Sequence, residues 1–462
     1  MLSDSVPFTM KYQFLFLILF TFTALLSCSR DKPEVKRSVH ITGQITVDRQ
    51  IDASGDYSGI QLLSTLSVGS QQTDTLFYAL TDSSGFFAAD AVFDMDDIYP
   101  VLISRNRNTF GILNLVFADG DTIHIQASLP NVNQTVTISS KENDLLTILN
   151  RLERNFTRVA NFINAGAIEE DSIEIEIEKW SDLYWELFDE YPDTHVGKIS
   201  GENSAILLRD WNDAKMLDRS ALILERHNYF SPGVRQVLTD YYAQTDGLTG
   251  ALEFLQDLEN RSEIQTHLME IKMERIELLF DSSRTIEANR YLEEFKQSFS
   301  ENELAMQWAD NISYDIEFLA PGYPFPELTF ITIEGDTIRT RELIGKPFLM
   351  EITRFDNFLY QQQYDRTVAI HQIYRNFDLQ IITVPLASSD VMLQAFFEER
   401  SKLWNIIQPN SFDTEELAEI LNLNRIPTRF LVNSDGTIIR RYIGNEYDDV
   451  VRGLQQIATL TE

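Results

Sequence analysis

A single cysteine, Cys28, serves a chain of 462 residues, so neither an intramolecular disulfide nor a cysteine-built zinc site can staple the fold. Every core must close by packing and hydrogen bonding alone. The length exceeds what one ordinary core organises, so two or three domains are expected. At 44 % hydrophobic and 11 % aromatic, the chain has apolar material for several cores. Lys and Arg number 38 against 71 Asp and Glu, a net charge of −33. That field repels phosphate backbones and no basic stripe is legible to offset it, so nucleic acid is not an expected partner. The acidic surface reads as solubilising, since no loop carries the ligand spacing of a cation site. The six histidines are scattered, without an HxH or HExxH pair, and no metal or cofactor is expected.

The position of Cys28 adds a second constraint. Lys11 precedes an apolar run from Tyr12 to Leu26. About fifteen helical residues span roughly 22 Å, short of the roughly 30 Å hydrocarbon core, so the run reads as an export signal. Met10-Lys11 makes a more natural start for it than Met1. The run ends Leu25-Leu26-Ser27-Cys28, which resembles a bacterial lipobox. The resemblance implies cleavage before Cys28, lipid attachment to it, and a membrane-anchored life in the cell envelope. Ser29, where Asp would favour inner-membrane retention, points to the outer membrane.

Three regions follow a short polar tether at 29–37. From Val39, apolar residues alternate with His40, Thr42, Gln44 and Thr46. Further strands are predicted near Thr75–Leu80, Tyr99–Ile103, Leu113–Phe117 and Thr122–Gln126, with turns at Asp82–Gly85 and Asp119–Asp121. An antiparallel β-sandwich over 38–138 is expected, with His124 on its polar side. Ser139-Ser140-Lys141-Glu142 is a capping-box pattern opening an all-helical region, 139–317. Within it Ile173–Glu178 alternates like a strand, but its helical context prevails.

From 318 to 462 strands and helices alternate, the pattern of an α/β domain. The whole chain thus reads as a multidomain α+β protein. Ala320-Pro321, the Gly335 turn, Gly345-Lys346, Ile426-Pro427-Thr428 and Asp435-Gly436 carry a resemblance over about 140 residues. They resemble the TlpA-type and AhpC/TSA-like branch of the thioredoxin superfamily, and the N-terminal phrases Thr81-Asp82-x-x-Gly85-Phe86 and Asp119–Ile123 look like those of its Bacteroidetes lipoproteins. The resemblance implies a thioredoxin-like domain in which Pro427 is a cis-proline facing the active site.

The same resemblance places a W-C-x-x-C motif about six residues beyond the acidic position of the central strand, here Glu351. The pair should fall at Asn357 and Tyr360, around Phe358 and Leu359, yet no cysteine exists after Cys28. Disulfide exchange and peroxide reduction both need a thiolate, so neither can run here. Glu351 is expected buried, either hydrogen-bonded in the core or poised for proton transfer. Asp356, Asn357 and Tyr360 are expected to cap or pack, with ligand binding as the other option. The expected function is a redox-inactive, lipid-anchored protein that binds or scaffolds a peptide or protein. A thiol–disulfide oxidoreductase or antioxidant protein is the alternative that fold alone would suggest.

Overall fold

The computed structural model describes residues 36–50, 53–67, 73–386, 389–444 and 446–460. Cys28, the apolar run before it and most of the tether lie outside them. No helix among the described residues is long and apolar enough to cross a membrane. The chain divides into two compact units. One holds residues through Leu66, Thr73–Glu169 and Glu186–Ser200; the other holds chiefly Glu170–Trp185 and everything from Gly201.

The first unit is sheet-rich. Its strands are β1 (Arg37–Val47), β2 (Gln61–Ser67), β3 (Thr73–Leu80), β4 (Phe86–Phe93), β5 (Asp97–Arg105), β6 (Asn108–Phe117), β7 (Thr122–Leu129) and β8 (Thr137–Ser139). They form two four-stranded sheets, ordered β4-β1-β7-β8 and β3-β2-β5-β6. The alternation read from Val39 holds: Val39, Ile41, Ile45 and Val47 are buried, while His40 and Gln44 are exposed. His124 is exposed, on the polar side of β7. The sandwich is not wholly antiparallel, however, because β1 runs parallel to β7, from His40↔Thr122 to Val47↔Leu129. Alternation reports which face a residue takes and is silent on strand direction, so this pairing was beyond it. Gly43 sits where these strands approach closely, and a Cβ there would lie 2.0 Å from the Ile125 carbonyl oxygen.

Helices α1 (Lys141–Asn164), α2 (Glu170–Glu190), α3 (His195–Leu207), α4 (Asp213–His227), α5 (Pro232–Thr245), α6 (Gly247–Arg261), α7 (Gln265–Asp281), α8 (Thr285–Ser298) and α9 (Glu303–Phe318) follow. The Ile173–Glu178 stretch lies inside α2. Ser140 caps α1, its hydroxyl accepting from the Asn143 N–H at 3.2 Å. Glu142 does not complete the capping box. Its carboxylate accepts from the His195 and Val196 N–H groups at 2.9 and 3.0 Å, capping α3 instead.

The last region holds a short hairpin, β9 (Thr329–Ile331) and β10 (Thr337–Arg339). Then come β11 (Phe348–Thr353), α10 (Phe358–Tyr374), β12 (Gln380–Pro385), α11 (Asp390–Phe397) and β13 (Asn405–Ile406). It closes with α12 (Thr414–Ile420), β14 (Thr428–Val432), β15 (Ile438–Ile443) and α13 (Tyr447–Leu460). The sheet order is β13-β12-β11-β14-β15. Central β11 pairs parallel with β12 and antiparallel with β14, and all six of its residues are buried. Phe348, Met350 and Ile352 face one apolar cluster with Phe430 and Val432. Leu349 faces the other, with Ile370 of α10 and Val450 and Leu454 of α13. Glu351 shares the Leu349 face and so points toward the helices.

Candidate functional site

Glu351 is wholly buried at the centre of the sheet. A bare carboxylate there would cost several kcal/mol of lost hydration. Four donors from three elements converge on it. Arg429, its cross-strand neighbour on β14, donates from Nε to Oε1 at 2.9 Å. Thr367 of α10 donates to Oε1 at 3.2 Å. Thr383 of β12 donates to Oε2 at 3.3 Å, and the Tyr360 hydroxyl reaches the same oxygen at 3.5 Å.

A second ring of partners fixes those donors. Arg429 Nη2 donates to Gln363 Oε1 at 2.8 Å, and the guanidinium lies 4.7 Å from the Tyr447 ring centroid. Thr367 and the Tyr447 hydroxyl share a 2.6 Å hydrogen bond. Trp404 Nε1 donates to Thr383 at 2.9 Å. With Thr367 and Thr383 donating to the carboxylate, each has an oxygen left to accept, and the network closes. Burial, then the Glu351 charge, pushes the Tyr360 phenol well above its ordinary range. Burial likewise raises Tyr447.

The expected motif positions take different roles. Asn357 is the N-cap of α10, its Oδ1 accepting from the Tyr360 N–H at 2.9 Å. Phe358 projects into solvent, 71 % exposed, and Leu359 is half-buried. Tyr360 is completely buried, stacked 5.8 Å from Phe396 of α11. Asp356 pairs with Arg354 at 2.6 Å on the surface, and that partner holds its carboxyl below the usual range. Phe355 turns inward against Phe396 and Phe397 at 4.8 and 5.5 Å. The Ile426–Pro427 peptide bond is cis. The Pro427 carbonyl accepts from the Gly444 N–H at 2.8 Å, and the Gly444 carbonyl accepts from Gln363 of α10 at 3.5 Å.

Glu351 and Tyr360 therefore belong to one locality, whereas Asn357 and Phe358, at the start of α10, lie outside its sealed interior. Sequence reasoning missed Arg429, Gln363, Thr367, Thr383, Trp404 and Tyr447. Arg429 had a signal, as the one charged residue in the five-residue run Thr428–Val432 that reads as a buried strand. Chemically the arrangement is a saturated ion pair. Both carboxylate oxygens are occupied and the pair's side chains are at most 1 % exposed. No group of three or more metal-binding side chains occurs among the described residues.

No protein-family profile matches the chain, and no curated protein does. Solved structures do. The thioredoxin domain of a thiol–disulfide oxidoreductase from Bacteroides vulgatus is 18 % identical, over 29 % of this chain and 96 % of that one, with a TM-score of 0.27. A protein described as a possible disulfide isomerase from Bacteroides thetaiotaomicron is 17 % identical over 31 % and 91 %, with the same TM-score. A DsbE-type interchange protein from Chlorobium tepidum is 13 % identical over 30 % and 96 %, again at 0.27.

Proposed function

We propose that this chain is a lipid-anchored protein of the cell envelope whose C-terminal domain is thioredoxin-like, performs no thiol chemistry, and binds or scaffolds a peptide or protein. One observation carries the reading. At the two places where a thiol pair would stand, Asn357 is tied up as a helix cap and Tyr360 is a buried phenol in the Glu351 network. No cysteine follows Cys28 to replace them. Phe358, an aromatic ring left 71 % exposed at the first position of α10, is the surface that the binding half of this reading puts forward for test.

The test is insulin reduction and peroxide turnover by the chain beginning at Ser29, which keeps every described residue. Neither should exceed background, and turnover of either would overturn the redox-inactive reading. Asn357→Cys should acquire a reactive thiol at the start of a helix. Tyr360→Cys is a poor companion, because it would hollow out the aromatic core around Phe396. For binding, Phe358→Asp should leave the thermal midpoint unchanged and weaken capture of extended apolar peptides. Equal capture by both forms would remove the α10 start from the binding surface. Palmitate incorporation by the full chain, lost in Cys28→Ser, tests the anchor.

A further inference from the structure

No basic stripe was legible along the acidic chain as a whole, but α1 of the first unit lines up a short exposed one. Arg151, Arg154 and Arg158 on α1, with Phe162, are spaced three, four and four residues apart, which puts them on one helical face. All four are exposed, Phe162 at 58 %. Among the described residues no acidic side chain pairs with any of the three arginines. The opposite face of α1 is the one that packs, through Leu145 and Leu149. An unpaired row of arginines beside an exposed phenylalanine has no packing role in this unit.

We infer that this face of α1 lies on an anionic bilayer surface and orients the first unit against the membrane that holds the lipid. The inference rests on the lipid-anchored reading. The tether supports a bilayer over an acidic protein as the occupant. Residues 29–36 contain Arg30, Lys32 and Lys36 against Asp31 and Glu34, a basic excess in a chain that is otherwise acidic, while Arg37 at the start of β1 pairs with Asp96 at 2.7 Å. Nine residues reach at most about 30 Å, so β1, in the same unit as α1, stays close to the anchor. Juxtamembrane basic clusters and a bulky apolar ring are what an anionic interface recruits. The net charge of −33 does not prevent this. Screening over about 8–10 Å lets the residues at the contact outweigh charges farther away. Asp144, two turns before Arg151 on the same face, bounds the stripe at its N-terminal end.

The experiment tethers the chain from Ser29 by an N-terminal hexahistidine to nickel-chelating vesicles, replacing the lipid. Asn161→Cys supplies a unique thiol for an environment-sensitive fluorophore beside Phe162. On vesicles containing phosphatidylglycerol the probe should brighten several-fold, and high salt should reverse it. Pure phosphatidylcholine should give no such change. Arg151→Glu, Arg154→Glu and Arg158→Glu together should abolish the brightening, and the three Gln replacements should reduce it. Absence of brightening, brightening indifferent to lipid charge, or brightening that survives the Glu replacements overturns the inference. Binding of the stripe to an acidic protein in place of vesicles would do the same. Because the tether is artificial, failure here is distinct from failure of Cys28 to be acylated.

Discussion

Arg429 carries a permanent charge into a place water does not reach, and its whole environment is arranged around that fact. Its Nε meets Glu351, its Nη2 meets Gln363, and its plane faces Tyr447. Removing one member of such a pair strands the other, which typically costs about 3–5 kcal/mol, whereas removing both can be close to neutral. Arg429→Met should therefore lower urea-unfolding stability by about that amount, and adding Glu351→Leu should restore part of it. A loss under about 1 kcal/mol in Arg429→Met would mean the guanidinium is not held as described. Asn357→Ala should cost about 1 kcal/mol through the lost cap, with Asn357→Asp retaining most of the stability. Equal losses in both would show that the cap is not the reason for the residue. These two positions also show what was legible. Asn357 could be read as a cap because Asp and Asn favour the position ahead of a helix. The partner of Glu351 could not, because cross-strand neighbours are set by pairing between segments 78 residues apart.

At the scale of elements, β1 shows both the reach and the limit of periodicity. Its inward residues followed from alternation, but β2 and β4, which lack clean alternation over most of their length, went unread. Its parallel pairing with β7 leaves a trace at Gly43, where the two backbones meet too closely for a side chain. Gly43→Ala must push Ile125 aside, and overpacking of this kind costs about 1–3 kcal/mol. A thermal midpoint unchanged by that substitution would refute the close approach. The start of α3 supplies a second element-scale test. Burial opposes ionisation of Asp97, yet the His195 side chain, the Ile98 N–H and Lys198 together hold its carboxyl below the ordinary 3.8. A depressed folded value means the contribution is present above the unfolded value and lost as pH falls through the folded one. Asp97→Asn should thus destabilise at pH 7 and approach wild type in strong acid. A penalty equal at both pH values would contradict the assignment.

Over the whole second unit, the question is whether helices and sheet melt together. The last helix before the sheet region, α9, is bound to it through Asp315, which is 2 % exposed. Arg441 of β15 donates to it from Nη1 at 2.8 Å and also from Nη2, and Asn422 donates to it at 2.9 Å. Asn422 also donates to the Asn311 carbonyl at 2.8 Å, and Tyr314 to the Ile420 carbonyl at 3.2 Å. Nearby, Arg440 of β15 pairs with Asp281 at the end of α7 at 2.8 Å. Contacts of this density make local opening of the sheet region costly while α9 stays folded. Hydrogen exchange should accordingly show α9 and β14–β15 opening with one free energy in the wild-type chain. Asp315→Ala, which leaves Arg441 buried without its partner, should cost about 3–5 kcal/mol and separate the two into distinct exchange classes. If α9 and the sheet exchange independently before any substitution, the Asp315 cluster is a surface contact and the two regions are separate folding units. If they remain a single class after it, the apolar contacts of Leu319 and Phe325 with the sheet core carry the coupling, and the ion pair only sets the orientation of α9.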